Sequence, residues 1–240
     1  MFEKIEKLQI ISLGIIIGLA VVISTRMVAS SISKNEISVT GSAYEIVKSD
    51  KGNLSFDINV KKATNQEAYS VAQSQLKVVE KYLKDKKITN IDIKTMNGYN
   101  IYKNDPRTGY ASNIVEAYNL SQPVSISSDN AELIKEISTD ISSLINQGID
   151  ISVGIPSYDY SKLADLKVSL LEKASTDARK RAESMLKPTH NRVGKIQAVR
   201  MGVYQITPVE STSVSDMGIN DTSTIDKKVT AVANVTFKIK

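Results

Sequence analysis

The chain has 240 residues, 41% of them hydrophobic, enough for one large domain or two small ones with a buried core. Its formal net charge is +5, and the stretch from Lys173 to Lys195, with seven Lys/Arg against two Asp/Glu, accounts for all of it. A general nucleic-acid binder spreads positive charge more widely, so no nucleic-acid partner is expected, and the absence of cysteine excludes disulfides, thiolate catalysis and cysteine metal sites.

Residues 1–27 contain "LQIISLGIIIGLAVVIS", Leu8 to Ser24, without a charge, with Lys4 and Lys7 before it and Arg26 after it. As a helix this run spans roughly 25 Å, close to the hydrocarbon thickness of about 30 Å, and it has almost no polar face. It predicts a single transmembrane helix, as membrane anchor or signal segment, with residues 8–24 in the bilayer. Ala29 and Ser31 make a poor cleavage pattern, which favours an uncleaved anchor. The cations at the two ends nearly balance, so they do not set the orientation. The expectation of a cell-membrane protein with its domain facing outside, periplasmic or extracellular, rests on the likeness of this segment to an export signal. Residues 28–36, "VASSISKNE", read as a linker.

The domain, residues 37–240, opens with the alternating "ISVTGSA", a strand. "NLSFDINVKKA" alternates Leu54, Phe56, Ile58 and Val60 against polar residues, a second strand. Thr64 with Glu67 is a capping box, and Ala68, Ala72, Leu76, Val79 and Leu83 then share one helical face. "NIDIKTMNGYNIY" is extended with a Gly-containing break, "NDPRTGY" is a turn, and "IVEAYNLSQPVSIS" is extended with an edge or bulge expected at Pro123, which has no amide donor.

Asp129 with Glu132 starts a second helix with the stripe Leu133, Ile134, Ile137, Ile141, Leu144 and Ile145, closed by Gly148. "IDISVGIPSY" is a strand. Residues 161–187 form a long third helix stopped by Pro188. "VGKIQAVRMGVYQI" is extended, 207–226 is a Ser/Thr/Asp-rich loop expected to be mobile, and "KKVTAVANVTFKIK" is the closing strand. The fold class is therefore α+β: a mixed or antiparallel sheet covered by three helices, built from two strand–helix–strand units (54–103 and 114–160) plus the long third helix.

On a wheel of about 100° per residue, Leu171, Ala174, Ala182 and Met185 fall near Ala178, with Leu163 and Leu170 on one shoulder and Val168 on the other. Lys173, Lys180 and Lys187 lie opposite. This is a core-facing stripe with a solvated cationic back. Arg179–Glu183 and Asp177–Arg181 have the spacing of i,i+4 ion pairs. Arg181, at the edge of the stripe, can snorkel, pair with Asp177 or meet another subunit.

Candidate reactive groups are few. His190 follows Pro188 in a loop, and one histidine without cysteine or neighbouring carboxylates makes no transition-metal site. Asp57, Glu45 and Glu116 can approach one another through a sheet, the only opening for a carboxylate-based hydrolase. Tyr99, Tyr102, Tyr110 and Tyr118 surround the 104–110 turn. With Lys103 and Arg107 they could stack on bases, but subunit contact or core packing fits an exported protein better. No catalytic, cofactor-binding or metal-ligating residues are assigned, and no cofactor.

"ISVTGSA", "KKITNIDIKT", Gly109-Tyr110, "LINQGIDI" and "LLEKASTDARKRAESMLKPTHNRVGKI" together resemble the SIMPL domain family, also described as the periplasmic immunogenic protein family. The third helix carries most of the likeness, through Ala174, Ala178 and Ala182, Asp177-Ala178-Arg179, and the following Val193-Gly194-Lys195. The resemblance covers about residues 37–240. It implies an α+β domain, envelope or extracellular placement in bacteria, and no established catalytic residues. It also implies oxidative-stress tolerance in some members, large oligomers in others, and a kinase-associated mammalian namesake. The chain departs from the family pattern at Lys187–Asn191, where a Gly-containing loop is common. The resulting expectation is a non-catalytic, envelope-anchored, self-assembling protein with a structural or stress-protective role through protein contacts. The alternatives are an extracytoplasmic carboxylate-based hydrolase or a polyanion-binding module using Lys173, Lys180 and Lys187.

Overall fold

The computed structural model describes residues 13–27 and 35–240. Residues 13–27 are helical and exposed at every position. Among the described residues no helix is long and apolar enough to cross a membrane. Residues 8–12 of the expected span, and the 28–34 part of the linker with Ala29 and Ser31, lie outside the described residues.

The elements of the domain are β1 (Glu36–Lys48), β2 (Lys51–Lys62), α1 (Asn65–Asp85), β3 (Asn90–Ile93), β4 (Asn97–Asn104), β5 (Ala111–Ser128), α2 (Ala131–Asp140), β6 (Asp150–Val153), β7 (Ser157–Asp159), α3 (Leu163–Leu186), β8 (Val193–Met201), β9 (Gln205–Pro208), β10 (Ile219–Asn220) and β11 (Asp226–Ile239). With residues 13–27 there are four α-helices among the described residues. The strands form two sheets where one was expected: β2 to β7 make the six-stranded sheet, and β1 with β8 to β11 the five-stranded one. Alternation within a strand fixes which side chains point inward but not which strand it pairs with, so one sheet and two read alike in the sequence.

The chain divides into two compact units, residues 43–172 with 203–231, and residues 1–42 with 173–202 and 232–240. The larger unit holds the whole six-stranded sheet. Its strand order β3-β5-β2-β6 is antiparallel throughout. The two strand–helix–strand segments therefore interleave on one sheet, the split β-α-β arrangement of ferredoxin-like folds. Alternate residues of β2 (Leu54, Phe56, Ile58) meet Val79 and Leu83 of α1, Ile134 and Ile137 of α2, and Val124 and Ile126 of β5 in one buried cluster.

Local chemistry explains these elements. Thr64 caps α1, its hydroxyl accepting from the Glu67 amide at 3.2 Å, and the five residues of the expected apolar face are the buried ones. Asn130, not Asp129, caps α2 by accepting from the Leu133 amide. The helix then tightens to a 3₁₀ turn over Ile141–Gln147, closed by Gly148 at φ 78°. In 3₁₀ geometry i and i+3 eclipse, so Ile141 and Leu144 stay buried while Ile145, expected in the stripe, turns outward.

Pro123 lies neither at an edge nor at a bulge. β5 is flanked by β2 on one side and by β3 and β4 on the other, and Pro123 falls where those two are interrupted, between Ile93↔Val124 and Asn97↔Ser121. Its missing N–H is needed by no neighbour there, and its carbonyl accepts from the Lys94 amide.

In the smaller unit, β8 pairs antiparallel with the second half of β11, and Ser38 and Thr40 of β1 bond across to Thr236 and Asn234 on its other side. Ala233, Val235 and Phe237 are buried at every second position of β11, as are Ala174, Ala178, Ala182 and Leu186 at every fourth position of α3.

Candidate functional site

The third helix places its residues by a rule the wheel only approximates. Burial follows 166, 170, 174, 178, 182 and 186. Steps of four residues advance about 400°, so the line drifts roughly 40° per step and winds around the helix. Val168 and Met185, expected on the apolar face, are accordingly 72% and 59% exposed. The alanine seam itself is as expected. At its centre strand β1 crosses the helix with backbone against backbone: a Cβ on Gly41 would lie 2.2 Å from the Ala174 carbonyl oxygen and 2.3 Å from the Ala178 nitrogen. The adjacent Ser42 amide donates to Asp177 Oδ2 at 2.9 Å, and Arg181 Nε donates to the same oxygen at 2.7 Å. Those two contacts, the amide first, hold the Asp177 carboxyl below its ordinary range. Arg181 thus takes the pairing option, and Arg179 pairs with Glu183 at 3.1 Å.

Lys173, Lys180 and Lys187 are exposed. Lys180 and Lys187 border an open groove of about 590 Å³ that also takes in Glu183, Ser184, Asn191, Arg192 and Val193, whereas Lys173 is not part of its lining. His190 is exposed at φ 58°, closing the short 3₁₀ turn Lys187–Thr189, which contains Pro188, by donating its amide to the Lys187 carbonyl.

The three candidate carboxylates do not form a site. Asp57 lies opposite Pro123 and accepts from the Ser121 hydroxyl. Glu116 is seven positions along β5 from that point, roughly 23 Å at strand rise. Glu45 lies on β1, in the other sheet. Among the described residues, each carboxyl with a resolved shift (Asp50, Glu132, Asp140, Asp177 and Asp221) is displaced downward. A general acid needs the opposite displacement. Among the described residues no group of three or more His, Asp or Glu could hold a metal ion.

One polar centre escaped the sequence reading. Lys227, the second residue of β11, falls on its inward-facing row, with only 4% of its side chain exposed. Its Nζ donates to the Asp221 carbonyl at 2.6 Å and lies 3.4 Å from Asp221 Oδ2. Burial raises the Asp221 carboxyl, but donors from Ser223 and Thr224 together with Lys227 outweigh it and bring the group down to about 2. Nearby, the Gln205 side chain donates to the Ser215 carbonyl and accepts from its amide. The 207–226 segment, expected to be mobile, thus carries its own hydrogen-bond set. The period-two pattern Lys227, Val229, Ala231 was the available signal.

The SIMPL family model, described as a protein of unknown function (DUF541), matches residues 37–237. The chain belongs to the SIMPL family. No curated protein matches it. The match covers every strand and helix of this SIMPL domain from β1 through most of β11, so the Gly41 crossing and the Asp221–Lys227 centre both lie inside it.

Proposed function

We propose that this SIMPL protein is a non-catalytic, envelope-anchored protein that self-associates and acts through protein contacts in a structural or stress-protective role, with residues 8–24 inserted in the membrane and the domain outside. The observation that carries the anchor is the helix over residues 13–27, where Leu13, Ile15, Ile16, Ile17, Leu19, Val21, Val22 and Ile23 are all more than half exposed. A helix apolar on every side has no stable place in water and calls for an apolar solvent. The separation of Asp57 from Glu116, roughly 23 Å at strand rise, supports a non-catalytic role. Fractionation of cells expressing the full chain, followed by protease treatment of intact cells, tests both parts. Recovery in the membrane fraction with digestion from outside is expected. A wash-soluble chain, or one protected until lysis, would refute the placement.

A second reading, polyanion binding through Lys173, Lys180 and Lys187, has one observation in its favour: Lys180, Lys187 and Arg192 border one groove, three cations against the single carboxylate of Glu183, which pairs with Arg179. Such binding weakens steeply with salt. Titration with heparin at two salt concentrations decides it, and absent or salt-indifferent binding dismisses it.

A further inference from the structure

The positive charge of this chain is gathered in the smaller unit. Residues 35–42, 173–202 and 232–240 carry ten Lys/Arg against three Asp/Glu, whereas the larger unit carries seventeen against twenty-one. Two of the three acids are engaged, Asp177 with Arg181 and Glu183 with Arg179. Lys180, Lys187 and Arg192, the cations bordering the groove on this unit, are all exposed and have no ion-pair partner among the described residues.

Main-chain bonds fix where that groove lies along the chain's route. The Ile239 amide donates to the Asn35 carbonyl at 2.8 Å, and Arg192 and Lys240 each donate an amide to the other's carbonyl at 2.8 Å. Asn35 and Arg192 therefore flank the end of β11 from opposite sides, two strand spacings or about 10 Å apart. Asn35 is the first described residue of the domain, and Ser24, the last residue of the apolar run, precedes it by eleven positions. Chain of that length spans at most roughly 40 Å. The groove thus stays within reach of any surface that holds residues 8–24.

Charge and tether together select the ligand. Exposed cations are drawn only weakly to an anionic surface, and only within about 10 Å at roughly 0.1 M salt. A dissolved anion must overcome that weakness by affinity alone. A bilayer that already holds the same chain meets the groove at a high effective concentration, so weak contacts suffice. An open groove bordered by three separate cations also matches an array of singly charged phosphodiesters better than one enclosed phosphate. We propose that the groove of Lys180, Lys187 and Arg192 docks the smaller unit onto anionic phospholipid headgroups of the membrane that carries residues 8–24. This rests on the anchor and the cationic groove proposed above and names the groove's ligand.

The test uses the full chain reconstituted into phosphatidylcholine vesicles with and without phosphatidylglycerol. Acetic anhydride, a neutral reagent, labels lysines, and mass spectrometry reads each site against the exposed Lys81 of α1. With phosphatidylglycerol present, labelling of Lys180 and Lys187 is expected to slow at least five-fold at low salt and to recover at high salt. Arg192→Gln, an exposed position, is expected to reduce that protection at least two-fold with the melting temperature unchanged. Equal labelling in both vesicles would overturn the docking. In that case a chain that resists carbonate extraction leaves the anchor standing, and salt-sensitive heparin binding leaves the polyanion reading standing. Protection by heparin or inorganic phosphate in vesicles of phosphatidylcholine alone, with no effect of phosphatidylglycerol, would assign the groove to dissolved anions and overturn the proposal. A chain that carbonate strips from both vesicles would overturn anchor and docking together.

Discussion

Gly41 and Ala178 meet with no room for a side chain on the strand, since a Cβ at Gly41 would sit 2.3 Å from the Ala178 nitrogen. Helix and strand touch through main-chain atoms, and backbone yields far less readily than the end of a flexible side chain. Gly41→Ala is therefore expected to destabilise the domain by about 3 kcal/mol, the upper end for overpacking. Urea unfolding of the wild-type and variant chains checks this, and a change below about 0.5 kcal/mol, the range of indifferent surface sites, would contradict it.

The two faces of α3 should respond oppositely to the same new charge. Ala182 is fully buried, so Ala182→Glu places an unpaired carboxylate in the core and is expected to abolish folding or lower the melting temperature by more than 10 °C. Lys180 is exposed, and Lys180→Glu is expected to stay within about 0.5 kcal/mol of wild type. Circular-dichroism melts of both variants read the difference, and equal responses would refute the seam.

Asp221 and Lys227 form a buried pair in which each partner makes the other tolerable. Removing only the anion strands the cation, so Asp221→Ala is expected to cost about 3–5 kcal/mol, whereas Lys227→Met combined with Asp221→Asn is expected to be far milder. Denaturation midpoints of the single and double variants give the coupling directly.

The same aspartate makes a prediction about acid. Its folded value of about 2 lies below the ordinary 3.8, so it stabilises the fold fully above pH 4. That contribution, on the order of 2 kcal/mol, is lost as pH falls from about 4 through about 2. Denaturant titrations of wild type and Asp221→Asn between pH 6 and pH 2 should show the wild type losing stability more steeply. Parallel curves would exclude Asp221 as the source.

The tyrosine that joins α1 to α2 gives a smaller effect. Tyr82 donates to Asp140 at 2.8 Å, and burial, reinforced by that carboxylate, pushes its hydroxyl well above the usual phenol range. Tyr82→Phe is expected to cost about 1 kcal/mol. Burial also raises the Tyr158 hydroxyl, so spectrophotometric titration should show one fewer late-ionising tyrosine in the variant than in the wild type.

Where local chemistry decides the structure, the sequence was readable. Thr64 and its five apolar partners placed α1, Gly148 ended the second helical stretch, and "KKVTAVANVTFKIK" was recognisable as the closing strand. Where partners distant in the chain decide, it was not. Splitting the strands into two sheets depends on pairings such as β1 with β11, which leave no mark on the period of either strand. A wheel averages over a helix, so it could not show that the contact line on α3 winds and releases Val168 and Met185. Side chains brought together from distant strands were equally hard to read. Of the three carboxylates considered, Asp57 and Glu116 stand roughly 23 Å apart along the register, and Glu45 lies on the other sheet. The buried ion pair joins Asp221, in the segment expected to be mobile, to Lys227 of the closing strand, whose inward position could be counted from Val229.

The bond between Ser38 and Thr236 spans 198 positions. At translation rates of about 5–20 residues per second, the first strand of the domain leaves the ribosome roughly 10–40 s before the strand that completes it. Through that interval its main chain stays unpaired on that side while the next copies are being made nearby. Nascent chains of this protein are thus exposed to wrong pairing at their very first strand, and anything that binds them before synthesis ends protects them most by covering β1.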